Sequence, residues 1–234
     1  MNTLLILFAG LLPVFILLFY IWEKDTRPEP LAQLIKAVLY GILITIPIVF
    51  VEHIVQNILF GAGSPHTLLG ITLEAFFVAA IPEESFKLLA LWLILRRNPY
   101  FDEHFDGIVY AVCIGLGFAG IENILYLFNN LDSWQSVAIS RALMAVPGHY
   151  AFAVIMGYYY SKHHFIDHSP RTAAYTLLIP VLAHGIYDAL ALSGTVNPYV
   201  GGICVLILIY FCIKMQKYAY KKILAQIDRD KNIC

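Results

Sequence analysis

Glu83, Glu84 and Lys87 stand close together in an otherwise apolar stretch of the chain, Leu68–Leu95. Ionisable side chains in the middle of a membrane span are costly, so this group needs partners, water or a cavity. In a helix, Lys87 lies four residues after Glu83 and three after Glu84, and it can reach either carboxylate. The two glutamates point about 100° apart. We therefore expect one of them to pair with Lys87 and the other to face a cavity, where a carboxylate can act as a general base.

Further polar side chains lie inside other apolar stretches. They are two carboxylates, an amide, a guanidinium and two imidazoles, carried by Glu122, Asn123, Arg141, His149, His184 and Asp188. At ~1.5 Å per residue, the glutamates and both histidines lie in the middle to outer half of a bilayer. Because Asp188 follows His184 by four residues, it can fix the tautomer and orientation of that imidazole. Helix packing alone seldom needs such a costly set, so the ensemble predicts a functional site.

The elements that position these residues are expected to be membrane-spanning helices. The chain of 234 residues is 60% hydrophobic and only 13% charged, and its mean hydropathy is +0.73, which is too apolar for a soluble domain. Stretches of about 20 apolar residues predict an all-α polytopic helix bundle. We expect seven spans: Thr3–Trp22, Leu31–Ile58, Leu68–Leu95, Gly107–Phe128, Trp134–Tyr160, Thr172–Leu192 and Tyr199–Met215. A broken helix would make the count six or eight.

The distribution of basic residues predicts how the bundle is oriented. Lys and Arg follow the first, third, fifth and seventh spans, and the loops Leu59–Thr67, Asn129–Ser133 and Ser193–Pro198 contain none. This alternation predicts a multi-pass protein of the cell membrane with its N-terminus outside and its C-terminus in the cytoplasm. The first span is of full membrane length and follows no basic residues, so we expect it to be retained and not cleaved as a signal peptide. We expect one domain, residues 1–234, with its catalytic core at about residues 68–192.

Four motifs resemble those of the PrsW family of intramembrane proteases. Pro82-Glu83-Glu84-Ser85-Phe86-Lys87 resembles the EExxK motif, and Phe118-x-x-x-Glu122-Asn123 resembles the second motif. His149 and His184-x-x-x-Asp188 resemble the third and fourth. The family is more remotely similar to the type II CAAX prenyl proteases and to the APH subunit of γ-secretase. Glu122 stands here in place of the histidine of the prenyl proteases' FxxxH motif, and Asp188 in place of an asparagine.

The resemblance implies an intramembrane endopeptidase. Its substrate would be a membrane-anchored, single-span protein, typified by first-site cleavage of an anti-sigma factor, with membrane lipid as its surroundings and no nucleic acid as partner. In the prenyl proteases the first glutamate of the pair, together with a histidine, activates the water. The sequence gives no indication of the oligomeric state.

On the leading hypothesis Glu83 or Glu84 is the general base for a water that His149 also holds, and Glu122 belongs to the same catalytic set. His184, oriented by Asp188 and with Asn123 or Arg141 nearby, would stabilise the oxyanion. No cofactor is required on this hypothesis.

Three alternatives use the same residues. In the first, His149, His184, Glu84 and Glu122 hold a Zn²⁺ with one position open for water. In the second, the buried charges form the ion pathway of a transporter, although the two halves of the chain show no inverted repeat. In the third, the protein is a non-catalytic membrane scaffold. An externally reachable cavity around the glutamates and His149 would favour the protease, and fully paired, dry groups would favour the scaffold.

Overall fold

The computed structural model describes residues 3–61 and 63–232, and these residues form helices and connecting loops without any β-strand. The all-α prediction is confirmed. The α-helices are α1 (Thr3–Lys24), α2 (Leu31–Phe60), α3 (Leu68–Leu73), α4 (Ile81–Leu95), α5 (Asp106–Asn129), α6 (Trp134–Ser140), α7 (Val146–Lys162), α8 (Pro170–Leu192) and α9 (Pro198–Lys231).

Six helical segments of the described chain are long and apolar enough to cross a membrane. They are Thr3–Lys24, Leu31–Phe60, Asp106–Asn129, Leu131–Asp167, Pro170–Thr195 and Pro198–Lys231. The third predicted span, Leu68–Leu95, is not among them, because Glu74 and the Glu83–Lys87 group interrupt its apolar sequence. It is nevertheless helical over its whole length, as α3, a π-helical segment and α4. The polytopic bundle is therefore as predicted, and the glutamate pair lies in this interrupted helical segment.

Helix α5 lies in the centre of the bundle and is buried along most of its length. Its glycines allow neighbouring helices to approach from different sides. A Cβ atom at Gly115 would lie 2.8 Å from the Cβ of Ala153 on α7, and one at Gly117 would overlap the carbonyl of Val38 on α2. Such small residues permit close helix contacts where lipid provides no hydrophobic drive for association. These contacts fix the helices that carry Glu122 and His149 against each other.

Two π-helical turns precede the site residues. Residues Glu74–Ala80 end where the Ile81 amide bonds the Phe76 carbonyl, five residues back, and Pro82 follows. Residues Arg141–Ala145 end in the same way where the Val146 amide bonds the Arg141 carbonyl, and Pro147 follows. Proline has no N–H to donate to the preceding turn, and a wide turn accommodates this loss. Each π-turn adds a residue and so rotates the side chains that follow.

The end of the bundle opposite the π-turns contains a buried polar region. The Asp230 carboxylate of α9 accepts bonds from the backbone amides of His104 (2.8 Å) and Phe105 (2.9 Å). It thereby caps the start of α5, where the Ncap residue Phe105 offers no side-chain oxygen of its own. Nearby, Tyr110 donates to Glu29 at 2.9 Å, and burial raises the pKa of the Glu29 carboxyl to about 7. These contacts join α9 and the loop after α1 to α5.

Candidate active site

The structure brings Glu83, Glu84 and Lys87 of α4 together with His149 of α7 and His184 of α8. All five side chains are buried, with residue exposures between 0 and 5%. Lys87 Nζ lies 3.3 Å from His149 Nδ1, and Glu84 Oε1 lies 2.9 Å from His184 Nδ1. Residues that are about 100 positions apart in the sequence thus form one compact polar centre in an otherwise apolar bundle.

Lys87 pairs with both glutamates, which differs from the expected division of roles. Its Nζ atom lies 2.9 Å from Glu83 Oε2 and 2.8 Å from Glu84 Oε1. The carboxylates do project in different directions, but the long lysine side chain lies between them and bridges the two. The expectation that one glutamate pairs while the other faces an open cavity is therefore wrong for this structure. One oxygen, Glu84 Oε2, is nevertheless buried without a hydrogen-bond partner among the described residues.

Each of the two histidines has a carboxylate at its Nε2 atom. His149 Nε2 lies 2.8 Å from Glu122 Oε2, and His184 Nε2 lies 3.2 Å from Asp188 Oδ2. When Nε2 of His149 carries the proton and donates it to Glu122, its Nδ1 accepts from the Lys87 ammonium at 3.3 Å. His184 has a carboxylate oxygen at each ring nitrogen, Glu84 at Nδ1 and Asp188 at Nε2, so it donates to both when it is protonated. Outer carboxylates orient histidines in this manner at metal and catalytic sites. The pairing of His184 with Asp188 follows the predicted spacing, whereas the partner of His149 comes from another helix.

Glu122 is itself fixed by a chain of polar contacts. Arg141 donates to Glu122 Oε2 at 2.7 Å and to Asn123 Oδ1 at 2.6 Å, and its guanidinium lies 4.0 Å from the centre of the Tyr126 ring. The Asn123 amide nitrogen donates to the Gly10 carbonyl of α1 at 2.7 Å. Asn123 and Arg141 are therefore used to position Glu122, and the Asn123 amide points away from the centre, towards α1.

Aromatic rings cover the centre. Lys87 Nζ lies 4.2 Å from the centre of the Phe118 ring, a distance typical of cation–π contacts. The Phe152 ring stacks on His184 with 5.0 Å between centroids. Water is therefore excluded from these faces of the site. The side chains of Glu122 and Asp188 are each 21% exposed, so these outer carboxylates are a more exposed part of the site than the glutamate pair and the histidines.

Gln216, Phe152 and Glu52 contribute to the site although the sequence analysis did not assign them to it. Gln216 of α9 donates to the Pro147 carbonyl at 2.7 Å, two residues from His149. Glu52 of α2 lies near enough for its charge to act on Glu83, Glu122, Lys87 and His184. A glutamate within a span is a visible signal, and Glu52 could have been included. Gln216 and Phe152 carried no such signal, because their contribution depends on which helices are neighbours.

Comparisons with known proteins identify the family. A family model described as PrsW family intramembrane metalloprotease matches residues 29–215, which is most of the chain and includes every residue of the polar centre. The chain belongs to this PrsW family.

Several relatives support this membership. The chain is 38% identical to the Protease PrsW of Oceanobacillus iheyensis over 184 residues, covering 78% of this chain and 81% of that protein. It is 35% identical to the Protease PrsW of Geobacillus kaustophilus over 213 residues, covering 90% of each. The Protease PrsW of Bacillus subtilis is 35% identical over 186 residues, covering 78% and 81%. No solved structure matches the chain.

Membership in the PrsW family makes the chain a peptidase of the membrane, with a membrane protein as substrate. It decides against the transporter and the scaffold, although the groups of the centre are as closely paired as a scaffold would have them. The family description also implies a metal, so the donor atoms matter. Ligand atoms of four buried residues lie within 4.8 Å of one another: Glu83, Glu84, His149 and His184. Two imidazoles and two carboxylates suit Zn²⁺, and the unpaired Glu84 oxygen is a donor atom that such an ion could use. In this group Glu83 replaces Glu122 of the predicted zinc set, because Glu122 is bound to Arg141.

Proposed function

We propose that this chain is an intramembrane endopeptidase that uses Glu83 to activate water. The proposal rests on one observation, the two inward-facing histidines that outer carboxylates orient towards the glutamate pair. Such an arrangement brings two oriented imidazoles and a carboxylate to one point inside the membrane, which is what peptide hydrolysis by an activated water needs. We assign the substrate class as a single-span, membrane-anchored protein. An anti-sigma factor is one candidate, suggested by the resemblance described above.

Glu83 and Glu84 have different surroundings, and this supports different roles. Glu84 is fixed by both Lys87 (2.8 Å) and His184 (2.9 Å). Glu83 has Lys87 at 2.9 Å, while His184 Nε2 is 3.9 Å away, too far for a hydrogen bond. Glu83 is therefore the freer base, and Glu84 the structural member of the pair.

The proposed reaction follows from these positions. Glu83 takes a proton from the water molecule as the water oxygen attacks the scissile carbonyl, and the Lys87 ammonium stabilises the oxyanion that forms, joined by a protonated His184 when no metal is bound. The proton on Glu83 then passes to the departing amine as the C–N bond breaks. Glu122 holds the His149 imidazole at the centre throughout, with its Nδ1 towards Lys87. Phe118 and Phe152 keep bulk water away from the charges, which strengthens each interaction.

His149, His184 and Glu84 would be the ligands of a Zn²⁺, with Glu83 beside them as base, a donor set common in catalytic zinc sites. A Zn²⁺ bound there would polarise the carbonyl and lower the pKa of a bound water. A metal-free reaction is the second candidate, favoured by one specific observation: the Lys87 ammonium already lies between the carboxylates and supplies a positive charge.

The carboxylates can be tested with glutamine variants, which keep the shape and remove the charge. We expect Glu83→Gln to reduce cleavage of a tagged single-span substrate in proteoliposomes by at least ~100-fold, the range of a lost general base, with little change in thermal midpoint. We expect Glu84→Gln to lower both activity and midpoint, since it is bonded on two sides. Glu23→Gln, at the exposed end of α1, is the matched control. Normal cleavage by both site variants would show that the assigned base is wrong.

Metal content separates the two candidate chemistries. Elemental analysis of the purified protein should find near-stoichiometric zinc in the wild type, in Glu83→Gln and in Glu23→Gln, and much less in Glu84→Gln and His184→Ala. Chelation should abolish cleavage, and zinc should restore it. A metal-free protein that cleaves its substrate in the presence of chelator would establish the second candidate instead.

A further inference from the structure

Helix α9 carries a row of lysines where its apolar part ends. The predicted span runs to Met215, and α9 continues to Lys231. Lys214, Lys217 and Lys221 are spaced by three and four residues, so they lie on one face of the helix. All three side chains are exposed. Because the apolar sequence ends among them, this face lies at the boundary between hydrocarbon and headgroups, where lysine ammonium groups extend towards water.

These lysines line a surface cavity of about 540 Å³. The remainder of its lining is apolar and aromatic, and we call the whole feature the lysine groove: Lys214, Lys217 and Lys221 with Phe211, Met215, Tyr218 and Tyr220. The groove thus combines cationic groups with an apolar wall that continues along the membrane-facing surface of α9.

The charges of the groove are not neutralised by the protein. Lys214 lies 5.1 Å from the ring of Tyr210, while Lys217 and Lys221 have no ion pair or hydrogen bond with any residue that the structure describes. Lys222, about 100° further round the helix than Lys221, behaves differently: it packs over the rings of Tyr158 (4.0 Å) and Tyr218 (4.8 Å). The lysine directed into the protein has its partners there, and the three of the groove are directed outwards.

We propose that the lysine groove binds an anionic phospholipid, with its phosphate among the three lysines and an acyl chain along Phe211 and Met215. Charge complementarity identifies the headgroup, because unpaired ammonium groups at a membrane surface attract anionic lipids. The apolar wall identifies a lipid as the source of the phosphate, since free phosphate gains nothing from contact with Phe211 and Met215. This inference does not depend on the proposed catalytic chemistry.

The test uses the full chain in detergent and counts retained lipids by native mass spectrometry, with phosphatidylglycerol and phosphatidylcholine of equal chain length. We expect the wild type to retain phosphatidylglycerol preferentially, and the double variant Lys217→Gln/Lys221→Gln to lose about 25-fold in affinity, at roughly fivefold per lysine. Arg96→Gln/Arg97→Gln removes the same charge from an exposed site after α4 and should change little. Millimolar inorganic phosphate should not displace the lipid.

Several outcomes would overturn the proposal. They are equal retention of the two lipids by the wild type, equal losses in the lysine and arginine double variants, and displacement by inorganic phosphate, which would indicate an ion site only. The thermal midpoint checks folding. If the glutamine variant does not fold, Lys217→Arg/Lys221→Arg keeps the charge and must keep the preference for phosphatidylglycerol. The wild type must in any case retain more phosphatidylglycerol than phosphatidylcholine for the proposal to stand.

Discussion

At the scale of single residues, Asp188 and Glu122 each bind the Nε2 atom of a site histidine, but they reach it from different helices. Asp188 holds His184 Nε2 from one turn further along the same helix, and Glu122 holds His149 Nε2 from α5. Asp188 has fewer partners, because Glu122 is additionally fixed by Arg141. Asp188 is thus the simpler test of whether orientation of a histidine matters for activity.

We predict that Asp188→Asn keeps the fold and lowers kcat, by roughly 10- to 100-fold as for other residues that orient a site histidine, because the amide can favour the wrong imidazole tautomer. His184→Ala should be at least as damaging. The double variant should be little worse than His184→Ala, since residues that act as a unit are not additive. The measurement is substrate cleavage by the two single variants and the double variant. If the activity losses of the two single variants multiply in the double variant, Asp188 works independently of His184, in a structural or substrate contact.

At the scale of elements, the two π-turns explain how short stretches of chain direct several polar groups to one point. In α4 and α7 the order is the same: π-turn, proline, site residue. Each added residue rotates the following side chains by about 100°. Without it, Glu83 and His149 would face other neighbours. The carbonyl of Pro147 is further held by Gln216, so α9 braces α7 directly beside His149.

We predict that Gln216→Leu reduces kcat by roughly 3- to 10-fold, equivalent to about one hydrogen bond, with KM little changed. Gln226→Leu is the matched control. Gln226 also bonds a carbonyl of α7, that of Tyr158 at 3.5 Å, but far from His149. Thermal midpoints should fall in both variants, and activity only in Gln216→Leu. Equal activity of the two variants would limit Gln216 to a role in stability.

At the scale of the whole molecule, helices enclose the centre, and its outer carboxylates Glu122 and Asp188 form a partly exposed rim. A peptide must therefore enter through a movement of the surrounding helices or be drawn in from that rim. Which side of the membrane the rim faces depends on the orientation of the bundle. Helix α5, with 24 residues, is about 36 Å long and separates the loop at Arg97 from the loop at Asn130 by a full bilayer.

We predict that Asn130 faces outwards and Arg97 the cytoplasm, because basic residues collect at the cytoplasmic side. Arg97→Cys and Asn130→Cys, each in a chain whose four native cysteines are replaced, can be labelled with a membrane-impermeant maleimide in intact cells. Asn130→Cys should react directly, and Arg97→Cys only after permeabilisation. Labelling of both from one side would contradict the seven-span arrangement, and the reverse pattern would contradict the N-outside orientation.

The sequence by itself determined the features that depend on local spacing and on transfer to the membrane. Apolar runs of membrane length defined the bundle, because each span must satisfy its own backbone in lipid. The cost of buried charge marked Glu83, Glu84, Glu122, His149 and His184. The contact of His184 with Asp188 followed from helical periodicity alone.

Only the tertiary structure decided which helix faces meet. The pairing of His149 with Glu122, the bridging of both glutamates by Lys87 and the bond from Gln216 to Pro147 are contacts whose geometry depends on how the helices are rotated and packed. The π-turns change that rotation, and glycine contacts such as that of Gly117 with Val38 set the distances between helices. A periodic count along the chain assumes regular helices, so it could mark the residues of the site but could not assign their partners.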